Sequence, residues 1–435
     1  MATSIVLATG RGGSSSAQRQ RQRERQGKRQ RHPALRRGLA LVAVAALGAA
    51  CTAFGDARDA PDIVADEAKE GTAEVAPTQS PAGDGASIPE ERPASQDEIE
   101  PPDPQPDVEV TPPAEPAPPA EPAPQGPPVT IAFAGDVMFE GMIRPQLDAD
   151  PEGLLDPVAA VFAGADLTVV NLETAITTGG TPAAKRFVFR APPTALRALQ
   201  AAGVSVASLA NNHGMDFGLS GLEDTLEAAD EIGFPIIGAG RDIEEAFAPY
   251  LAEVRGRDIA VIAATQVMDR AFFDTWPATD DRPGLAFAKH EWEADLIDAV
   301  TSIRPHVDTV VVYLHWGFEG ERCPSQRQQD LARRLADAQV DIVVGTHAHR
   351  LQGAGMLDDT LVAYGLGNFV FYSRSGPGTE TGVLLVTVEG RDVQDYEWVP
   401  GQIREGIPHL LEGDPAFAAI DAWDQLRGCT ELERR

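Results

Sequence analysis

The sequence predicts an α/β domain in which helices cover sheets, and three observations carry that expectation. Short runs rich in β-branched residues recur from Val129 onward, amphipathic stretches lie between them, and ligand-type side chains cluster where the runs end. Near-continuous apolar runs mark strands buried on both faces. Their alternation with helical patterns argues a layered α/β arrangement.

Taken in order, the strands are VTIAFAG (129–135), ADLTVVNLE (165–173), GVSVASLANN (203–212), DIAVIAAT (258–265), DTVVVYLHWG (308–317), VDIVVGTHAH (340–349), TLVAYGLGNF (360–369) and GVLLVTVEG (382–390). Helices are expected at TALRALQAAG (194–203), LSGLEDTLEAADEIG (219–233) and SQRQQDLARRLADAQ (325–339). The domain is therefore drawn over residues 128–400, with 401–435 a helical extension carried by PAFAAIDAWDQLRG.

Two segments of different composition precede it. Residues 1–38 hold ten Lys or Arg and one acidic residue, Glu24, and are followed by LALVAVAALGAAC, ending at Cys51. A basic stretch, a short apolar stretch and small residues before a cysteine read as an export signal over residues 1–51. The apolar run is shorter than the roughly 20 residues that a spanning helix needs. GAAC resembles a lipoprotein cleavage box, which makes Cys51 a lipidation candidate, and Arg36-Arg37 allows a twin-arginine signal. Residues 52–127 are rich in Pro, Ala, Glu and Asp, with a repeated AEPAP unit. So little apolar surface cannot offset the entropy of ordering, so this stretch is expected to be a disordered, extended spacer. The expected location is the bacterial cell envelope, outside the cytoplasm, with the domain tethered to the membrane through its N-terminal anchor.

Charge narrows the partners. The chain carries 36 basic and 66 acidic residues, a net charge of −30. Without the first 50 residues the balance is 26 − 65 = −39. Such a surface excludes nucleic acid as a partner. It also repels a polyanionic substrate at long range, unless metal or local basic residues offset it, although salt screens charges beyond about 8 Å. The cysteines left after Cys51 are Cys323 and Cys429, and an exported protein invites a disulfide between them, with two free thiols as the alternative.

Chemistry gathers where strands end. Asp136 follows the first strand, Asn171 and Glu173 close the second, and Asn211, Asn212, His213 and Asp216 follow the third. His315 and Glu319 close the fifth, His347, His349 and Gln352 the sixth, and Asn368 the seventh. Four of the chain's eight histidines fall at such ends, whereas His290, His306 and His409 stand apart as surface or structural residues. In open α/β sheets, sites form outside the carboxyl ends of strands. Singly, Asn171 or Asn368 is ordinary turn chemistry; within the set both are candidates for facing substrate. Residues i and i+2 of an extended segment point the same way, so His347 and His349 should reach one ion or two adjacent ions. Mixed imidazole, carboxylate and amide donors suit a pair of transition-metal ions, which would acidify water for attack.

GDVM, NLE, NNHGMDFG, HWGFEG, GTHAH and GNFVF, in that order and spanning about Val129 to Phe371, resemble the CapA family of poly-γ-glutamate capsule synthesis proteins, within the calcineurin-like metallophosphatase superfamily. The resemblance implies a four-layer α/β/β/α sandwich with a dinuclear site for divalent metal (Mn, Zn, Fe or Mg). It implies Asp136 and His349 on the first metal, Glu173 as bridge, Asn212 as amide ligand, and His315 and His347 on the second metal. His213 is implied as the acid that protonates a leaving group, and Asp216 beside it is a further catalytic candidate; Asp216 or Gln352 could also serve the first metal, as a ligand or as a residue that orients one. Met138 stands where the superfamily places a histidine, and the bridge is a glutamate rather than an aspartate, so the first metal has fewer ligands than the pattern provides. Lys185, Arg186 and Arg190 of KRFVFRAPP match a basic-aromatic stretch of the family, and Lys185 and Arg190 are candidates for holding a carboxylate or phosphate.

Two functions follow as expectations. One is an exported metal-dependent hydrolase acting on a phosphoester or an amide of an envelope polymer, with a capsule synthase complex as a partner. The other is a non-catalytic surface scaffold that binds and guides an anionic capsule polymer during export.

Overall fold

The computed structural model describes residues 126–435, so the export segment, Cys51 and nearly all of the spacer lie outside the described residues. In chain order the strands of the two main sheets are β1 (Val129–Val137), β2 (Leu167–Leu172), β3 (Val206–Ser208), β4 (Ile236–Ile237), β5 (Tyr250–Val254), β6 (Arg257–Thr265), β7 (Thr309–His315), β8 (Ile342–Thr346), β9 (Ala354–Leu357), β10 (Thr360–Ala363), β11 (Asn368–Val370), β12 (Glu380–Glu389), β13 (Asp392–Arg404) and β14 (Ile407–Leu410). The first sheet runs β14-β13-β12-β1-β2-β3-β4, with β11 also paired to β1. The second runs β9-β10-β8-β7-β6-β5. Parallel pairing joins β1 to β2 and β11, and β7 to β6 and β8.

Side-chain alternation explains the layers. Ile131 and Phe133 of β1 point into a core shared with Val261, Val311, Tyr313 and Val344 of the second sheet. Ala132 and Ala134 point the other way, onto Phe162, Leu196, Leu199 and Leu222 of the covering helices. On the far side, Val310, Val312 and Leu314 of β7 pack against Leu296, Val300, Leu331 and Leu335. The result is helices, sheet, sheet, helices: the four-layer α/β/β/α sandwich. A strand buried on both faces favours apolar residues along its whole central stretch, which is why β1, β7 and β8 read as near-continuous apolar runs.

The helices form where their period demands it. Gln326–Asp337 buries Gln328, Leu331, Ala332 and Leu335, one stripe of a 3.6-residue repeat, and starts at a capping box between Ser325 and Gln328. Gly218–Ile232 ends at Gly233, whose φ of 67° suits a residue without a Cβ.

The boundary expected at residue 400 falls inside a strand, because β13 runs through it and β14 pairs beyond it. The helix Gly413–Gln425 then lays Trp423 onto Trp398, ring centroids 5.2 Å apart, at the rim of the inter-sheet core. Sequence pattern detected the helix but missed that its apolar face completes this core. Cys429, just beyond that helix, is joined to Cys323 by a disulfide. Among the described residues no helix is long and apolar enough to cross a membrane.

Candidate metal centre

Strand register builds the site. Asp136 near the end of β1 is level with Asn171 of β2 and with Asn368 of β11. On the facing sheet, His315 at the end of β7 is level with Thr265 of β6 and Thr346 of β8. Parallel strands that end together place their last side chains in a row, and the two rows face one another across the sandwich. The Tyr313 hydroxyl donates to the Ala134 carbonyl, tying the sheets immediately beneath.

The six expected metal ligands converge there. Asp136 lies 3.1 Å from His349 Nδ1 and 3.8 Å from His315 Nδ1. Glu173 Oε1 lies 3.5 Å from His315 Nε2 and 3.8 Å from His349 Nε2. Asn212 Oδ1 is 2.7 Å from His315 Nε2. Glu173, His347 and His349 each offer a donor atom within 4.8 Å of the others.

Their environment fits a cation. Both oxygens of the fully buried Glu173 and Nδ1 of His347 have no hydrogen-bond partner among the described residues. Burial, and then the Asp136 charge, push the Glu173 carboxyl well above the usual carboxylate range. Burial and the neighbouring imidazoles hold His315 and His347 well below the usual imidazole value. Burial also disfavours the His349 cation, but Glu173 and Asp136 outweigh it and raise this group to about 10. The unpartnered carboxyl oxygens of Glu173 beside the neutral imidazoles of His315 and His347 form a donor set that suits a divalent ion.

His347 and His349 do not meet through extended geometry, as the alternating spacing suggested. Their φ values are 90° and 50°, left-handed for both, in the bend that follows β8. Such backbone in non-glycine residues costs of order 1–3 kcal/mol each and persists where surrounding structure over-determines it. Here Asp136 accepts from the His347 amide at 3.3 Å, and Asn368 Oδ1 contacts His349 Nδ1 at 2.8 Å.

His213 sits beside this set, Nε2 4.0 Å from Glu173 Oε1, with Phe189 stacked on its ring at 4.1 Å. Its Nδ1 contacts Asp216 Oδ2 at 2.6 Å. Burial and Lys185 lower its pKa to about 4, so it is neutral near pH 7, with Nδ1–H donated to Asp216 and a lone pair on Nε2. The acid role expected for His213 therefore begins from the unprotonated ring.

Several expected substrate contacts turn inward. Lys185 is buried: its ammonium pairs with Asp216 Oδ1 at 2.7 Å and donates to the Asn212 carbonyl, so it supports the site from behind. Arg190 is exposed, and its guanidinium lies over the Phe217 ring at 4.9 Å. Asn171 donates to Asp136 Oδ1 at 2.8 Å and reaches His315 Nδ1 at 3.1 Å. Asn368 donates to the Gly378 carbonyl at 2.8 Å while its oxygen holds His349. Both amides are buried and spend their hydrogen bonds on Asp136, His315, His349 and the Gly378 carbonyl rather than on solvent. Gln352 bonds Gln328 and the Glu321 carbonyl instead of the site. Met138 is packed in the apolar cluster, its sulfur accepting from the Glu140 amide.

Sequence reasoning left some supporting residues without a role. Asn211 bonds Asn171, the Leu172 carbonyl and the His213 amide. Thr346 reaches His315 Nδ1 at 3.1 Å. Asn211 stood visible in NNHGMDFG beside its more suggestive neighbours, whereas nothing in an apolar strand singles out Thr346.

Residues 130–373 match the family described as bacterial capsule synthesis protein PGA_cap. The chain belongs to this family. The PGA biosynthesis protein CapA of Bacillus subtilis is 29% identical over 292 residues, covering 66% of this chain and 74% of that protein. The capsule biosynthesis protein CapA of Bacillus anthracis is 31% identical over 227 residues, covering 52% of this chain and 53% of that one. A structure described as a novel phosphatase from Mycoplasma pneumoniae is similar with a TM-score of 0.40 and 14% identity, covering 67% of this chain and 97% of that chain. The PGA_cap match runs from β1 to just past β11, the span that holds all six converging residues.

Proposed function

We propose that this capsule-synthesis family member is an exported, membrane-tethered hydrolase that uses divalent metal to cleave a phosphoester or amide of an anionic envelope polymer. One observation carries the reading: Glu173, buried with neither oxygen hydrogen-bonded, is ringed by imidazoles from two facing sheets. A binding scaffold gains nothing from such an arrangement, because burying an unpaired carboxyl is costly. Asp136, Glu173, Asn212, His315, His347 and His349 would hold two ions, and three imidazoles favour zinc, iron or manganese over magnesium. Bound divalent ions supply Lewis-acid polarisation and acidified water. The chain's own residues do the rest. Asn171, Asn368 and Thr346 fix the tautomer and direction of the ligands. Asp216 holds the His213 Nδ1 proton, so Nε2 would take the proton that the attacking water loses and pass it to the leaving group.

Export rests on the basic-then-apolar N-terminus and the Cys51 box, and the Cys323–Cys429 bond supports an oxidising compartment. A synthase complex in the same envelope is the proposed partner.

The test uses the purified full chain: metal content by elemental analysis, then turnover of p-nitrophenyl phosphates and of poly-γ-glutamate. His347→Ala should lose metal and turnover together, and His213→Ala should lose turnover with metal retained. Polymer binding by metal-free protein, with no turnover of any substrate after metal is restored, would establish the scaffold instead.

A further inference from the structure

We propose that an open groove beside the metal centre, walled by the loop after β11 and the end of β13, holds several units of a chain bearing repeated oxyanions. The groove encloses about 1170 Å³ and is lined by Ser373, Arg374, Gln402 and Arg404, with Glu380 and Glu405 also on its walls. Pockets for single small molecules measure roughly 300–1,000 Å³, so this one suits a segment of polymer rather than a monomer.

Charge supports the choice of ligand. Arg374 and Arg404 are both exposed, and among the described residues neither guanidinium makes a hydrogen bond or ion pair, even with the two glutamates nearby. In a chain of net charge −30, two arginines balancing two glutamates leave this groove without the repulsion that the bulk surface exerts on polyanions. Gln402 and Arg404 stand two apart on β13 and so present to one side. A guanidinium fork fits carboxylate and phosphate alike.

The groove is joined to the metal centre through one side chain. Asn368 Nδ2 donates to the Gly378 carbonyl at 2.8 Å and to Ser373 Oγ at 3.3 Å, while Asn368 Oδ1 contacts His349 Nδ1 at 2.8 Å. The wall that would grip the chain is thus the loop that orients a metal-site histidine. The groove's role as a polymer track rests on the hydrolase reading; its capacity to bind does not.

The experiment is fluorescence anisotropy on the full chain stripped of metal, with labelled poly-γ-glutamate and linear polyphosphate oligomers at low and high salt. The double variant Arg374→Ala, Arg404→Ala should weaken binding by at least about tenfold and flatten the salt dependence. Its metal content and its turnover of p-nitrophenyl phosphate should match the parent. Arginine-dependent binding of either oligomer supports the proposal, and the oligomer preferred identifies the oxyanion. Failure of the parent to bind either oligomer, or unchanged affinity in the double variant, overturns it. Arginine-dependent binding with no turnover of any substrate would sink the hydrolase reading alone.

Discussion

Lys185 and Asp216 form a buried ion pair, Nζ to Oδ1 at 2.7 Å, directly behind the imidazole of His213. The other Asp216 oxygen takes both His213 Nδ1 and the Phe189 amide at 2.6 Å. One carboxylate thus fixes a site histidine and the strap of chain that covers it.

Removing one member of a buried pair strands the other charge. Asp216→Asn should cost about 3–5 kcal/mol of stability, and the double variant Asp216→Asn, Lys185→Met should recover a substantial part. Chemical denaturation of the single and double variants measures both. Strictly additive losses would show that the pair is not the unit at work.

For the metal-free protein, stability should peak near neutral pH. His213 has a folded pKa of about 4 against an ordinary 6.5, so the unfolded chain binds more protons between those values and stability falls as pH drops through them. His349 is raised to about 10, so the folded chain holds the extra proton above 6.5 and stability falls as pH rises toward 10. Added divalent metal should flatten the alkaline limb, because it takes the place of the His349 proton. Melting temperature measured against pH, with and without zinc, checks this; a metal-free protein that grows steadily more stable from pH 7 to 10 contradicts it.

Asn171→Ala and Asn368→Ala should each weaken metal affinity by about 10–100-fold while leaving the fold intact, as expected for residues that orient ligands without binding the ion. Competition with a chromogenic chelator gives the affinities. Unchanged affinity, with polymer binding lost, would return these amides to the substrate-facing role first expected of them.

The Cys323–Cys429 bond spans 106 residues and pins the C-terminal segment to the loop after β7. That loop touches the histidine loop, because the Gly320 amide donates to the Ala348 carbonyl at 2.8 Å. Cys429→Ser should cost about 2–5 kcal/mol. A thermal melt with and without dithiothreitol tests it: reduction should lower the parent's melting temperature and leave the variant's unchanged.

Much of this was legible before any coordinates. Strands packed on both faces favour apolar residues along their central stretch, so β1, β7 and β8 announced themselves, and polar residues at their ends could only be turns or a site. The residues that convergence makes important stood at strand ends: Asp136 in β1, Glu173 after β2, Asn212 after β3, His315 in β7, and His347 and His349 after β8. The glycine before Asp136 is readable only in part, since a Cβ at Gly135 would meet the Gly367 carbonyl at 1.9 Å, a contact from a distant turn.

Local pattern by itself determined the α/β class, the course of the long central strands and the candidate metal-type side chains, because burial and chain direction act within a few neighbouring positions. The strands β4, β5, β9, β13 and β14, and the division of 360–369 between the two sheets as β10 and β11, came only with the tertiary structure. Direction and partnership were decided only by the tertiary structure. It turned Lys185 inward onto Asp216, set Asn171 against Asp136 and Asn368 against His349, forced His347 and His349 into left-handed backbone and carried β13 past residue 400. Each of those outcomes depends on a group remote in sequence that supplies or withdraws a hydrogen bond, a charge or a packing surface, and no local stretch of sequence records it.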